Sequence, residues 1–205
     1  YNMVTSLDMA MPDPHSPAGK APWRKIMATV LPYVDLFVPS IDELLFMLGV
    51  EHPGPITERV LEEAADTAIG LGASVVGIKL GESGFYLQTN FRAGEILGAN
   101  WAERQLISPC FNVEVQGTTG AGDTTIAGLL AAVASHSEPE EALTLAVAVG
   151  AHCVEGVSAT SAIPTLSKVK ERIAAGWVRR STGLDLNGWR QQDDGILVGP
   201  RDRKG

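Results

Sequence analysis

Apolar positions along the chain change period several times, and each change marks a predicted element. Val4 to Asp8 reads as a short strand, and three prolines, Pro12, Pro14 and Pro17, then forbid regular structure over residues 12–17. Trp23, Ile26, Met27, Val30 and Leu31 recur at helical spacing and predict a helix with one core face. The run Asp35-Leu36-Phe37-Val38-Pro39 predicts a buried strand, which delivers Ser40-Ile41-Asp42-Glu43 ahead of Leu44, Leu45 and Leu48. Thr57 caps a helix whose apolar face is Leu61, Ala65, Ala68 and Ile69, stopped by Gly70 and Gly72. Ser74 to Leu80 is a second buried strand, Gly81 to Gly84 a tight turn, and Phe85-Tyr86-Leu87 the strand that follows. Strand, helix, strand in this order is the repeating unit of a parallel sheet, so the pattern predicts an α/β fold.

The second half continues differently. Residues 88–111 read as a polar excursion with edge strands around Ala93-Gly94-Glu95 and Trp101-Ala102-Glu103-Arg104, and Trp101 is expected to pack rather than stack on a base. Asn112 to Val115 alternates and leads into Gly117-Thr118-Thr119-Gly120-Ala121-Gly122-Asp123, a flexible loop feeding a helix marked by Ile126, Leu129, Leu130 and Val133. Ser137-Glu138-Pro139-Glu140 starts the next helix, apolar nearly all round from Ala142 to Val154 and so buried. Leu166, Val169 and Ile173 mark the last one. Beyond Arg179 no period survives, and residues 179–205 are expected to form a surface extension of a core over 1–178.

Composition narrows the function classes. With 205 residues, 45% of them hydrophobic, the chain can bury a full core. A formal net charge of -8 without a basic block argues against nucleic acid or an anionic membrane as partner, and the apolar runs are too short to span a bilayer. Two cysteines, Cys110 and Cys153, make neither a disulfide framework nor a metal motif and suit a reducing cytoplasm. His152 and Cys153 lack further ligands at zinc spacing.

Chemistry gathers at residues 117–123. The first turn of a helix exposes unpartnered N–H groups and a partial positive charge, so phosphate can sit there, and Gly120 and Gly122 let the backbone approach it. The loop is not a Walker A motif, because Asp123 stands where that motif needs Lys, nor a dinucleotide fingerprint, because Thr125 replaces the third Gly. A carboxylate in a phosphate cradle has a use if it faces an incoming hydroxyl and accepts its proton as a phosphoryl group moves.

Thr118-Thr119-Gly120-Ala121-Gly122-Asp123 before a small-residue helix resembles the second signature of the PfkB/ribokinase family of sugar and nucleoside kinases. The resemblance implies a three-layer α/β/α ribokinase-like core with a mainly parallel sheet. It also implies ATP-dependent phosphoryl transfer to a hydroxyl of a sugar or related small polyol. Asp123 would be the catalytic base, and Thr119, Gly120, Ala121 and Gly122 the anion hole, together with the N–H of Asp123. Ser40 and Glu43 stand where the family has N-x-x-E, whose Glu holds Mg2+ through water; Ser-x-x-Glu is equally a capping box. Lys79, Gly81 and Gly84 resemble the nucleotide-binding turn, a lysine there being suited to neutralise phosphate charge, and Cys153 is expected near the adenine. Asp8 matches a strand-ending Asp of the family, although the Asn and Arg that usually follow are missing. Gly117 and Ala162 replace the family's potassium-binding residues, so K+ activation is doubtful. The chain reads as the C-terminal two-thirds of such a kinase, without the lid and with no initiator Met or signal peptide at Tyr1-Asn2. A homodimer is left open. The alternatives are a nucleoside kinase and a non-catalytic nucleotide- or metabolite-binding protein.

Overall fold

A computed structural model describes residues 3–204; Tyr1, Asn2 and Gly205, the outer ends of the expected core and extension, lie outside the described residues. The chain divides into two compact units. One comprises the chain up to Leu80, Tyr86–Arg104 and Leu184–Asn187; the other comprises Gly81–Phe85, Gln105–Gly183 and the chain from Gly188.

In the first unit the strands run in the order β1 (Ser6–Leu7), β2 (Leu36–Phe37), β3 (Val75–Lys79) and β4 (Phe85–Thr89, from Tyr86). The first three are parallel, with Ser6 opposite Leu36 and Leu36 opposite Val75. Leu36, Phe37, Val76 and Ile78 are inaccessible to solvent, as expected of strands covered on both faces. Helix α1 (Trp23–Val30) buries Met27, while Ile26 and Val30 stay exposed. Helix α2 (Ile41–Leu48) begins on a complete capping box: the Ser40 hydroxyl accepts from the Glu43 N–H at 3.3 Å, and the Glu43 carboxylate accepts from the Ser40 N–H at 2.6 Å. Such a cap is worth ~1 kcal/mol. Helix α3 (Glu58–Gly70) starts at Thr57, whose hydroxyl accepts from the Val60 N–H, and buries Leu61, Ala65 and Ala68.

The expected edge strand at Ala93-Gly94-Glu95 is instead helix α4 (Phe91–Leu97), because the Asn90 side chain accepts from the Ala93 N–H and starts a turn that the central glycine does not prevent. Trp101 packs, as expected, being 2% exposed.

In the second unit β5 (Gln105–Ser108) and the late strands β6 (Arg190–Gln191) and β7 (Leu197–Val198) run in the order β5-β7-β6 and are antiparallel, so strands of both directions are present. The residues beyond Arg179 are thus not a plain surface extension. Ile196 and Val198 are buried, and Leu197 sits opposite Ile107. Arg179 fastens this tail by donating to Ser108 Oγ, the Pro109 carbonyl, Thr144 Oγ1 and the Asp194 carbonyl, at 2.8–3.1 Å.

The helices of this unit are α5 (Ala121–Ala134), α6 (Pro139–Val154) and α7 (Leu166–Ala174). Helix α6 is buried from Leu145 to Cys153, as its all-round apolar sequence requires. It runs so close to α5 that a Cβ on Gly150 would lie 2.2 Å from Thr125 Oγ1. No described helix is long and apolar enough to cross a membrane.

Candidate active site

The glycine-rich loop is shaped by the chain on both sides of it. The Gln116 and Gly117 N–H groups both donate to the Val154 carbonyl, at 2.8 and 3.3 Å, which ties the loop to the end of α6. Gly120 then takes the left-handed conformation, φ +79°, and its missing side chain makes room for Ala159, whose Cβ would lie 2.5 Å from a Cβ at position 120. Helix α5 starts immediately after. The Thr124 hydroxyl folds back onto the Gly120 and Ala121 carbonyls, at 3.0 and 3.1 Å, and the Thr124 N–H donates to the Gly120 carbonyl at 2.9 Å.

This leaves the N–H groups of Gly120, Gly122 and Asp123 without a hydrogen-bond partner among the described residues. The Ala121 N–H departs from the expected anion hole, because it donates to the Thr118 carbonyl at 3.2 Å; a turn that brings Gly120 into the left-handed region closes that bond itself. The Asp123 side chain is exposed and, among the described residues, makes no hydrogen bond or ion pair. Among the described residues a free carboxylate thus stands on the first turn of α5, beside unpartnered amides and in the positive end of the helix dipole.

Cys153, expected near the adenine, lies on the last turn of α6. It is 1% exposed, and its Sγ lies between the Thr119 carbonyl (3.5 Å) and the Ala159 carbonyl (3.3 Å), so it is packed behind the loop and holds it. The turn Gly81–Ser83 in the same unit is fixed through the Gly81 carbonyl, which accepts from the Gly84 N–H at 3.2 Å and from Cys110 Sγ at 3.3 Å.

In the first unit, polar side chains collect at the C-terminal ends of parallel strands, where α/β sheets place ligands. Asp8 follows β1, Ser40 and Glu43 follow β2, and Lys79 ends β3. The Lys79 ammonium donates to Asp8 Oδ1 at 2.7 Å and lies 3.9 Å from Glu43 Oε2. The Lys79 N–H donates to the Pro39 carbonyl at 2.9 Å, which sets this strand end against Ser40. The sequence reading did not foresee that the lysine has a carboxylate partner, because Asp8 and Lys79 are 71 positions apart. Among the described residues no group of three or more His, Cys, Asp or Glu side chains is placed to hold a metal ion alone. Glu43 and Asp8 are the carboxylates at this strand end.

Residues that the sequence gave no reason to join meet at the end of α6. Arg172 grips Glu155 with both nitrogens, at 2.6 and 2.8 Å, lies with its Cζ 3.6 Å from the centre of the Trp177 ring, and approaches His152 Nδ1 at 3.3 Å. Burial, and then the Arg172 charge, hold the His152 imidazole below its ordinary value, with Glu155 opposing; hydrogen bonding from Arg172 lowers the Glu155 carboxyl. Both folded-state values lie below the unfolded ones, so the unfolded chain binds more protons and stability rises with pH. The His152 contribution is complete above the unfolded imidazole value of about 6.5 and is lost as pH falls toward the folded value; that of Glu155 follows below about pH 4.3. We therefore expect the urea midpoint to fall on acidification from pH 7 to 5, and His152→Gln to flatten that slope relative to the wild type. An unchanged slope in the variant would show that His152 carries none of it.

Comparison with known proteins decides the family. Residues 3–166 match the sequence pattern described as pfkB family carbohydrate kinase. The chain belongs to the pfkB family. Among curated relatives, the 2-dehydro-3-deoxygluconokinase of Thermoproteus tenax is 29% identical over 153 residues, which is 74% of this chain and 41% of that protein. The enzyme of the same name from Bacillus subtilis is 28% identical over 141 residues, or 69% and 38%. The chain thus spans about two fifths of the length of these pfkB relatives. Among solved structures, Arabidopsis thaliana ribokinase in complex with ribose and ATP superposes with a TM-score of 0.60 at 26% identity, over 70% of this chain and 42% of that one. Thermotoga maritima ribokinase superposes with a TM-score of 0.62 at 24% identity, over 85% and 50%, a likeness of fold. The α/β fold of this chain is therefore that of the ribokinase-like pfkB kinases.

Proposed function

We propose that the protein transfers the γ-phosphoryl group of ATP to a hydroxyl of a sugar or related small polyol. The observation that carries this reading is Asp123, an exposed carboxylate on the first turn of α5 that has no partner among the described residues and lies beside the open N–H groups of Gly120 and Gly122. In this reading the acceptor hydroxyl gives its proton to an Asp123 Oδ as its oxygen bonds to the γ-phosphorus, the bond from that phosphorus to the β,γ-bridging oxygen breaks, and ADP leaves. The amides of Gly120, Gly122 and Asp123 meet the charge on the moving group; each oriented donor of this type supplies ~3 kcal/mol to a transition state. The backbone of Thr119 carries one wall of the cradle. Lys79 contributes positive charge toward the nucleotide phosphates, and the turn from Gly81 to Gly84 lines the nucleotide. Glu43, with Asp8, supports bound magnesium, which supplies charge neutralisation on the phosphates.

The test is a coupled ADP-release assay of the protein with ATP, magnesium and a panel of sugars, sugar acids and nucleosides. Turnover with a sugar or sugar acid is the expected result. Turnover confined to nucleosides would replace the acceptor class, and ATP binding without turnover on any alcohol would make this a binding protein instead.

A further inference from the structure

We propose that Arg172 is a positioning residue for the phosphate cradle, acting through Glu155 and the loop over residues 156–162. Only the kinetic part of this inference rests on the kinase reading above.

The contacts form one continuous chain. Arg172, on α7, holds Glu155 in a two-pronged ion pair, and Glu155 is the residue on which α6 ends. The arginine is itself backed by Trp177, whose ring stacks on Phe111 with centroids 4.5 Å apart and whose Nε1 donates to the Asn112 carbonyl at 2.9 Å. One end of this arrangement therefore grips the segment that leads into the glycine-rich loop. The other end governs the loop behind it. Immediately after Glu155, the Gly156 carbonyl lies 3.1 Å from where a Cβ on Gly117 would stand. Three residues further on, Ala159 abuts Gly120, and the thiol of Cys153 lies between the Thr119 and Ala159 carbonyls. The cradle loop thus rests on residues 156–162 at both Gly117 and Gly120.

Residues 156–162 have little to order them otherwise. Val157, Ser158, Thr160 and Ser161 are exposed, and the side-chain hydrogen bonds from Ser161 reach only Ser158. Their upstream end is held by a charge pair that is about a third exposed, where an ion pair adds little to global stability. Its effect is to fix geometry. A planar guanidinium offers two parallel donors to one carboxylate, which a lysine ammonium cannot reproduce. Loss of the grip leaves Glu155 with the looser neighbour His152, whose Nδ1 lies 3.5 Å from its Oε2, and lets α6 fray at its last turn. The support under Gly120 then moves, and with it the amides that face the transferred group.

The experiment compares the wild type with Arg172→Ala, Arg172→Lys and Glu155→Gln. Backbone hydrogen exchange is followed by mass spectrometry without ligand, and steady-state kinetics with whichever acceptor the ADP-release panel identifies. Arg172→Ala is expected to speed exchange several-fold in peptides covering 156–162 and in those covering 117–123, while peptides of β5 and α2 keep their rates. It is also expected to lower kcat by about tenfold, with the acceptor KM within about twofold, as for a group whose displacement spoils the transition state more than binding. Arg172→Lys and Glu155→Gln should fall between the two extremes. Faster exchange at 156–162 that stops short of 117–123 would overturn the inference, since the pair would then be a local latch. Uniformly faster exchange would overturn it as well, because the effect would be loss of global stability. Wild-type protein that phosphorylates nothing would refute the kinase reading, and the exchange data would still decide whether Arg172 orders the cradle.

Discussion

Asp123→Asn is expected to lower turnover by about 10³-fold while ATP binding and the melting temperature stay near the wild-type values. The size follows from the role: a positioned general base contributes typically 10²–10⁴-fold, and an amide of the same shape cannot take up the hydroxyl proton. The selectivity of the effect follows from the surroundings. Asp123 is exposed and, among the described residues, holds no hydrogen bond or ion pair, so exchanging one carboxylate oxygen for an amide nitrogen strands no partner. What is lost from stability is the attraction between an acid and the positive end of α5, at most about 1 kcal/mol for an exposed first-turn group. Binding of ATP survives because the cradle's donors are backbone amides, which the substitution does not alter. The measurement pairs kcat from the ADP-release assay with ATP affinity from titration calorimetry. Turnover within tenfold of wild type would remove Asp123 as the base. Loss of ATP affinity in step with turnover would make it a binding group instead.

How far the sequence anticipates this site depends on the distance over which each determinant acts. The capping box of Ser40 and Glu43, the start of α3 at Thr57 and the loop-to-helix step at Gly120 are local. Each is set by residues three or four positions apart, and the structure has all three where the pattern placed them. The ion pair of Lys79 with Asp8 joins the ends of two strands that sheet order alone brings together, and the grip of Arg172 on Glu155 depends on where α7 packs. Neither leaves a periodic trace. The tail shows the same limit on a smaller scale. Two-residue strands at Arg190 and Leu197, separated by Asp193-Asp194-Gly195, are too short to show alternation, and what holds them is the buried Ile196 and the reach of Arg179. For a related reason helix spacing puts Cys153 on α6 but does not say that its thiol meets the Thr119 and Ala159 carbonyls. Helix α4 is the case in which a local signal is present: Asn90 is a good cap, and its side chain accepts from the Ala93 N–H.

Gly120→Ala should lower kcat by about 10²-fold and leave the rest of the molecule folded. The substitution meets two independent obstacles. At φ +79° an L side chain sits in the left-handed region, at a cost of roughly 1–2 kcal/mol, and the added methyl would stand 2.5 Å from the Ala159 Cβ and 3.1 Å from its Cα. Since two carbon atoms in contact need close to 4 Å, either the loop at 117–122 or the one at 156–162 has to move. Movement of either displaces the open amides of Gly122 and Asp123 from the positions proposed to face a phosphoryl group, and a misplacement of about 1 Å at a reacting centre is enough for a 10²-fold loss. Gly183→Ala separates the two obstacles. Gly183 also has positive φ, +68°, but a Cβ there meets nothing within 4 Å, so this variant carries the backbone cost alone and is expected to lose about 1 kcal/mol of stability with turnover unchanged. Equal losses of turnover in the two variants would mean that backbone strain, not the contact between Gly120 and Ala159, explains the effect. Full turnover in Gly120→Ala would show that the amides beside Asp123 can shift freely without consequence, and the cradle would then have no part in the reaction.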